Sequence, residues 1–205
     1  VSPTIPSGYY DSLEGLSGAA LKQAVQDIIA NPLVVRAHNY GDIEFILKES
    51  DKNPDNSNQV WCMYVESPMA KIDQQVGSSI VGKWNREHIF CQSRGGFEVA
   101  LNDSADGINF WSSTSAAAVV DGVSDAHHIR VENGQENSSR NNKNYGTVNS
   151  ATVYMGPTNT QGSWHGDVAR SLFYMAVRFN GLNVVFIASI PTYYVYFIKK
   201  NYDEK

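Results

Sequence analysis

The sequence is organised around the segment Trp84-Asn85-Arg86-Glu87-His88-Ile89-Phe90, in which a carboxylate stands next to an imidazole. Glu87 offers a hard anionic oxygen, and His88 can accept a proton, since an unperturbed imidazole titrates at about pH 6.5. Neighbouring side chains on a regular strand point to opposite faces of the sheet. The two side chains can therefore serve one site only if the strand twists or ends at this point.

A second polar segment, Asn137-Ser138-Ser139-Arg140-Asn141-Asn142-Lys143, lies downstream. Asn137 can supply a neutral amide oxygen, and the Arg and Lys residues suit phosphate because they donate charged hydrogen bonds. One carboxylate, one amide oxygen and open positions for water are typical of a magnesium site rather than a zinc site. We therefore predict that Glu87 and Asn137 bind Mg²⁺, with Mn²⁺ or Ca²⁺ able to substitute in binding.

Ordered motifs across roughly residues 9–180 carry a family resemblance. They are Arg86-Glu87-His88-Ile89-Phe90, Asp125-x-His127-His128-Ile129-Arg130, Asn137-Ser138-Ser139-Arg140-x-Asn142-Lys143 and Gly166-Asp167-Val168-Ala169-Arg170. With them the chain resembles the bacterial endonuclease I family, which are secreted or periplasmic nucleases of the ββα-metal (His-Me finger) type. The resemblance implies an α+β fold, with one mixed α/β domain over residues 1–205 and a ββα-metal core at about 84–147.

The resemblance also implies a metal-dependent endonuclease that hydrolyses DNA, and RNA as a further substrate, with little sequence preference and 5′-phosphate products. His88 would be the general base that takes a proton from water, while Glu87 and Asn137 would hold the cation. The residues expected to contact phosphate or nucleic acid are Arg86, Arg130, Arg140, Asn142 and Lys143. We expect a monomer without a membrane partner, secreted or periplasmic, with its signal peptide already removed.

Net charge is −5 over 205 residues, which excludes a chain that binds nucleic acid through overall positive charge. Contact with nucleic acid must then come from a local basic patch and bound cations. Two other functions stay open. One is a catalytically silent secreted binding module of the same fold, and the other is a zinc hydrolase using His127, His128, His165 and a carboxylate. No Cys-x-x-Cys or His-Glu-x-x-His spacing supports the zinc site.

Two further features concern covalent and metal chemistry outside these motifs. We predict a disulfide between Cys62, which lies in one predicted strand, and Cys91, which directly follows another. The alternative is that both are small buried side chains. The segment Asp51-Lys52-Asn53-Pro54-Asp55-Asn56 alternates oxygen ligands like the start of a calcium loop. It lacks the required Gly and the closing Glu, so an Asx-rich turn is predicted.

The apolar periodicity predicts helices over residues 18–30, 42–48 and 167–179, and strands over 59–65 and 151–155. The ββα unit that the resemblance implies adds strands over 84–90 and 126–131 and a short helix starting near 137–139, whose composition is poor for a helix. A turn is predicted at 132–135, and loops at 66–82 and 91–124. The tail, 182–205, departs from the family pattern, because no Asn-Arg-Asn-Pro-Phe type motif is present. Its apolar part, 182–198, is broken by Pro191 and is shorter than the ~20 residues of a membrane span, so one or two strands are predicted.

Overall fold

The structure, a computed structural model, describes residues 5–97, 104–108, 112–182 and 184. Its α-helices are α1 (Gly18–Ile29), α2 (Ile43–Ser50), α3 (Gln92–Gly95), α4 (Gly134–Arg140) and α5 (Trp164–Arg178). Its strands are β1 (Arg36–Ala37), β2 (Gln59–Cys62), β3 (Ser67–Ala70), β4 (Trp84–His88), β5 (Ser112–Ser113), β6 (Ile129–Asn133), β7 (Asn144–Tyr145) and β8 (Val153–Tyr154). This mixture of helices and strands confirms the predicted α+β fold class.

The unit that positions the site consists of β4, β6 and α4. The two strands are antiparallel, with Trp84 opposite Asn133 and His88 opposite Ile129. The helix follows β6 directly because Asn133 caps it: its side-chain oxygen accepts hydrogen bonds from the backbone N–H groups of Gln135 and Glu136 at 2.9 and 3.2 Å. The order strand, strand, helix agrees with the prediction. The cap makes the helix start earlier than predicted and removes the predicted turn at 132–135.

Several other predictions of local structure were wrong in part. The predicted loop 91–124 contains α3 and β5, and the strand predicted over 126–131 begins only at Ile129, after a 3₁₀ turn. The predicted loop 66–82 contains β3, which pairs antiparallel with β2 and places Pro68 opposite Trp61. A proline is tolerated there because β3 forms one edge of a two-stranded ladder. The last helix begins at Trp164, before the predicted cap Asp167, whose carboxylate instead pairs with Arg170 at 2.6 Å.

The segment with the calcium-like pattern is an Asx-rich turn, as predicted. The side-chain oxygen of Asn53 accepts a hydrogen bond from the N–H of Asp55 at 3.1 Å, and that of Asn56 accepts one from the N–H of Asn58 at 3.0 Å. A carboxylate oxygen of Asp51 accepts a hydrogen bond from the N–H of Val131 at 2.7 Å. These oxygens therefore serve the backbone of the turn and of β6.

Among the described residues, three buried clusters form the core around this unit. The first joins α2, β2, β4 and β6 and contains Ile43, Leu47, Val60, Cys62, Trp84, Ile129 and Val131. The second is largely aromatic and contains Met63, Tyr64, Ile89, Tyr145, Tyr154, Trp164 and Val168. The third contains Phe90, Phe97, Val123, Met175, Phe179 and Leu182. Since β4 and the two residues after it contribute to all three clusters, the segment 84–90 is held firmly from several sides.

The predicted disulfide was wrong. Both cysteines are free and buried, with Cys62 in the first core cluster and the Cys91 sulfur 3.8 Å from the carbonyl oxygen of Asn141. Burial raises the pKa of both thiols, most strongly that of Cys62. They are therefore two small buried side chains, which was the alternative left open above.

The remaining expectations concern the membrane and the tail. Within the described ranges, no helix has the length and apolar character needed to cross a bilayer. The strands predicted over 182–198 lie, apart from residues 182 and 184, outside the described residues.

Candidate active site

The end of β4 and the helix α4 border a cleft of about 350 Å³. The residues that line it are Arg86, Glu87, His88, Cys91, Gln92, Asn137, Ser138, Arg140, Asn141 and Asn142. The fold therefore brings the predicted base and both predicted metal ligands to one cavity. It does so because β4 ends at His88, which lets the neighbouring Glu87 and His88 reach the same cleft although they belong to opposite faces of the strand.

Glu87 is almost completely buried, at 2% exposure. Its Oε1 accepts hydrogen bonds from the hydroxyl of Tyr64 at 2.7 Å and from Nη1 of Arg140 at 2.9 Å. Burial raises the pKa of the Glu87 carboxyl, while Arg140 and Tyr64 act in the opposite direction by favouring the carboxylate. Both hydrogen bonds converge on Oε1, so Oε2 is the oxygen left for a ligand in the cleft.

His88 is held in one tautomer by the backbone. Its Nε2 lies 2.8 Å from the carbonyl oxygen of Val123, and because a carbonyl can only accept, Nε2 carries the proton and Nδ1 keeps its lone pair. The ring is stacked against Tyr40 with centroids 5.3 Å apart. Burial lowers the pKa of His88 to about 4, and the charges of Arg86 and Arg140 act in the same direction. The imidazole is therefore neutral at neutral pH.

Asn137 presents an oriented amide. Its Nδ2 donates to the side-chain oxygen of Asn85 at 2.8 Å and to the carbonyl oxygen of Arg86 at 3.3 Å. Since both bonds use the amide nitrogen, the amide oxygen is left to bind a cation. A carboxylate oxygen of Glu87 and an amide oxygen of Asn137 at one cleft are ligands that suit a hard divalent ion such as Mg²⁺, so these residues fit the implied metal.

Four of the five residues predicted to contact phosphate, all except Arg130, lie at or beside the cleft. Arg86 and Asn142 line it, and Lys143 follows Asn142 directly and is half-buried. The guanidinium of Arg86 also donates to the carbonyl of Tyr40 at 2.7 Å and lies 3.6 Å from the Glu44 carboxylate. It is thus a partly neutralised cation at the edge of the cleft.

Arg140 and Arg130 are placed differently from the expectation, although Arg140 lines the cleft. Arg140 is 2% exposed, and besides Glu87 it donates to the backbone carbonyls of His88 and Ile89 at 2.7 and 2.8 Å. It supports the end of β4 from within instead of facing solvent. Arg130 donates to the carbonyls of Ala126 and Ile129 at 3.1 and 2.8 Å and does not line the cleft.

The three histidines of the zinc-hydrolase alternative contact neighbouring parts of the structure. His127 Nδ1 lies 2.9 Å from a carboxylate oxygen of Asp125, and the buried His128 lies 2.7 Å from the carbonyl of Gly122. The ring of His165 packs on Trp164 with centroids 4.0 Å apart. Within the described part of the chain, no three His, Cys, Asp or Glu side chains are grouped so that they could hold a metal. The zinc-hydrolase alternative therefore has no three-ligand site among these residues.

Sequence reasoning missed the two tyrosines that surround Glu87. The hydroxyl oxygens of Tyr64 and Tyr145 are 2.5 Å apart, and the Tyr145 hydroxyl oxygen lies 3.1 Å from the carbonyl oxygen of Ile89. Both side chains are buried in the aromatic cluster. Neither belongs to one of the motifs, and only the packing of the aromatic cluster brings them to Glu87, so no local signal marks them.

Comparison with known proteins decides the family. The family described as Endonuclease I matches residues 17–189. The chain belongs to the endonuclease I family. It is 35% identical over 180 residues to an extracellular ribonuclease of Bacillus amyloliquefaciens, covering 84% of this chain and 54% of that protein. It is 32% identical over 182 residues to an extracellular ribonuclease of Bacillus subtilis (strain 168), with coverage of 84% and 54%.

The chain thus spans about half the length of the curated relatives it matches. No solved structure matches it. The matched region, 17–189, contains the whole cleft, so every residue assigned to the candidate site lies inside the family region.

Proposed function

We propose that this chain is a metal-dependent endonuclease that hydrolyses phosphodiester bonds of DNA and RNA with little sequence preference. The observation that carries the proposal is the convergence of His88, Glu87 and Asn137 on one polar cleft inside the region of the family match. The names of the relatives, both extracellular ribonucleases, support RNA as a substrate beside DNA and support a secreted protein.

In the proposed reaction His88 acts as the general base. The carbonyl of Val123 holds the proton on Nε2, so Nδ1 is the atom that takes a proton from the attacking water. The lowered pKa keeps this nitrogen unprotonated at neutral pH, although it also makes the base weak. A divalent cation on Glu87 and Asn137 would supply the positive charge that offsets the charge developing on the phosphate and on the leaving 3′-oxygen.

The other polar groups at the cleft position the nucleic-acid substrate. Arg86, Asn142 and Lys143 can donate hydrogen bonds to the backbone phosphates of the substrate. Phosphate contacts fix the register of the nucleic acid and carry no sequence information, which accounts for the low sequence preference. The products are expected to carry 5′-phosphate and 3′-hydroxyl ends.

The test is cleavage of supercoiled plasmid DNA and of a structured RNA with Mg²⁺, with and without a chelator. Cleavage of both substrates that stops with chelator and is restored by excess Mg²⁺ or Mn²⁺ is the expected result. The products are then labelled with polynucleotide kinase, which should require prior phosphatase treatment. Undiminished cleavage in chelator, or full activity of His88→Ala, would overturn the proposal.

A further inference from the structure

A row of three side-chain amides runs from the loop after β3 to Asn137. Gln75 donates from Nε2 to the carbonyl of Gly77 at 2.8 Å, and its Oε1 accepts from Nδ2 of Asn85 at 2.8 Å. The Oδ1 of Asn85 in turn accepts from Nδ2 of Asn137 at 2.8 Å. Gln75 is itself anchored, because its backbone N–H donates to the carbonyl of Trp84 at 2.8 Å.

The direction of the row is determined at both ends. A side-chain amide can turn either its oxygen or its nitrogen to a neighbour, whereas a backbone carbonyl can only accept. The carbonyl of Gly77 therefore requires the nitrogen of Gln75, which sets the orientation of Asn85 and then of Asn137. The carbonyl of Arg86, 3.3 Å from Nδ2 of Asn137, independently requires the same orientation at the other end. Every amide in the row has its oxygen on the side nearer the cleft.

The row has a consequence for cation binding that rests on the proposed function. Only the oxygen of an amide can bind a divalent ion, so a reversed Asn137 would present N–H donors to the cation. Partners outside the first ring of ligands commonly orient those ligands and alter metal affinity by about 10- to 100-fold. Asn85 is well placed for this because it lies two residues before Glu87 on β4 and so shares its strand face, against which α4 packs.

We propose that Asn85 and Gln75 are positioning residues, and that their amide relay holds the oxygen of Asn137 toward the cation. Asn85 acts directly on Asn137, and Gln75 acts only through Asn85. The loop that carries Gln75 borders a second groove of about 480 Å³, which Asn85 and Arg86 also line. The orientation of the metal ligand is thus linked to a neighbouring surface groove.

The first test is Mg²⁺ titration by calorimetry, with the unfolding temperature as a control for folding. Asn85→Ala should weaken Mg²⁺ binding about 10- to 100-fold, and Gln75→Ala by a smaller factor. In the Asn85→Ala background, Gln75→Ala should have no further effect. Asn149→Ala is the matched control. The Asn149 amide also donates from Nδ2 and accepts at Oδ1, but its partners are the carbonyl of Gly156 and the N–H of Met155, and it does not line the cleft, so this variant should bind Mg²⁺ normally.

The second test uses the metal-free protein and does not depend on activity. The side-chain amide protons of Asn137, followed by NMR, should exchange with solvent faster in Asn85→Ala than in the unsubstituted protein. Asn85→Asp keeps an acceptor oxygen for Nδ2 of Asn137 and should restore slow exchange. Because no metal is present in this experiment, the added negative charge cannot slow exchange by attracting Mg²⁺ to the site.

The outcomes separate the two proposals. If Asn137→Ala weakens Mg²⁺ binding but Asn85→Ala changes neither Mg²⁺ affinity nor amide exchange, the relay is overturned and the metal assignment stands. Additive effects of Gln75→Ala and Asn85→Ala would also overturn it. If Asn137→Ala leaves Mg²⁺ affinity unchanged, the metal assignment fails and the relay fails with it.

Discussion

Arg140 donates a hydrogen bond from Nη1 to Oε1 of Glu87 at 2.9 Å, and each side chain is only 3% exposed. The pair lies between the end of β4 and the end of α4, so it joins the two elements that carry the proposed metal ligands. In this position Arg140 stabilises the carboxylate form of Glu87 against burial. A residue that sequence reasoning assigned to phosphate binding thus has a structural and electrostatic role.

Removing one partner of this pair should destabilise the fold strongly. Arg140→Ala removes the cationic partner of a buried carboxylate and the guanidinium donors to the carbonyls of His88 and Ile89, and we expect a loss on the order of 3–5 kcal/mol in the free energy of unfolding. Urea denaturation at pH 7 measures it. Arg170→Ala breaks an exposed ion pair with Asp167 and should cost less than about 1 kcal/mol. Equal losses in the two variants would contradict the assignment.

Substitution of His88 distinguishes a general base from a metal ligand. His88→Ala should keep its fold and near-normal Mg²⁺ affinity, because Glu87 and Asn137 supply the ligands, yet lose on the order of 10²–10⁴ in rate. Imidazole added to the buffer should restore part of the rate. The measurement is the Mg²⁺ affinity of His88→Ala by calorimetry together with its turnover rate. A collapse of metal affinity together with activity would make His88 a ligand.

The pH dependence follows from the lowered pKa of His88. A general base works unprotonated, so the acidic limb of the rate profile should lie near pH 4, below the pH of about 6.5 expected of an ordinary imidazole. The folded pKa is below the unfolded one, so the stability contributed by His88 is present above pH 6.5 and is lost as pH falls toward 4. His128, lowered to about 3, adds in the same direction.

The measurement is kcat/KM from pH 3.5 to 8 at saturating Mg²⁺, with circular dichroism at each pH to separate inactivation from unfolding. Metal binding by Glu87 must be monitored too, since protonation of that carboxyl would also lower activity. An acidic limb at pH 6.5 with the fold and the bound metal intact would mean that the imidazole is not desolvated as the structure indicates.

The cysteines should behave as two buried thiols. A thiol reagent should label neither rapidly in the native protein, because burial raises both pKa values and the thiolate is the reactive form. Both should react in denaturant without prior reduction. Mass spectrometry measures the number of labelled thiols directly. A native mass lower by two hydrogen atoms, or a melting temperature that drops on adding reductant, would show that the two cysteines form a disulfide after all.

Substrate affinity should depend on phosphate contacts beside the cleft. In a His88→Ala background, Lys143→Ala should weaken binding of all sequences about equally and reduce the slope of log Kd against log salt by about 0.7 to 0.9. Lys22→Ala, which removes an exposed lysine of α1, serves as the control and should leave the slope unchanged. A Lys143 variant with altered cleavage-site preference would mean that this residue reads bases.

The sequence by itself determined the elements whose signals are local. Through the family resemblance, the ordered motifs predicted the strand, strand, helix order, and the structure places Glu87, His88 and Asn137 at one cleft. The Asx-rich turn was predictable too, because short polar side chains bond to backbone groups two residues away. The start of α4 was missed because Asn133 could equally have belonged to a turn, and only its cap geometry shows which.

What only the tertiary structure decided depends on burial and on distant partners. No pattern within the motif shows that Arg140 turns inward to Glu87, 53 residues away, or that Tyr64 completes the same environment. The pKa of His88 likewise depends on desolvation by the surrounding chain. The orientation of Asn137 depends on Asn85, 52 residues away, and through it on Gln75. Local sequence places the reactive groups on their elements, and long-range packing sets their charge and direction.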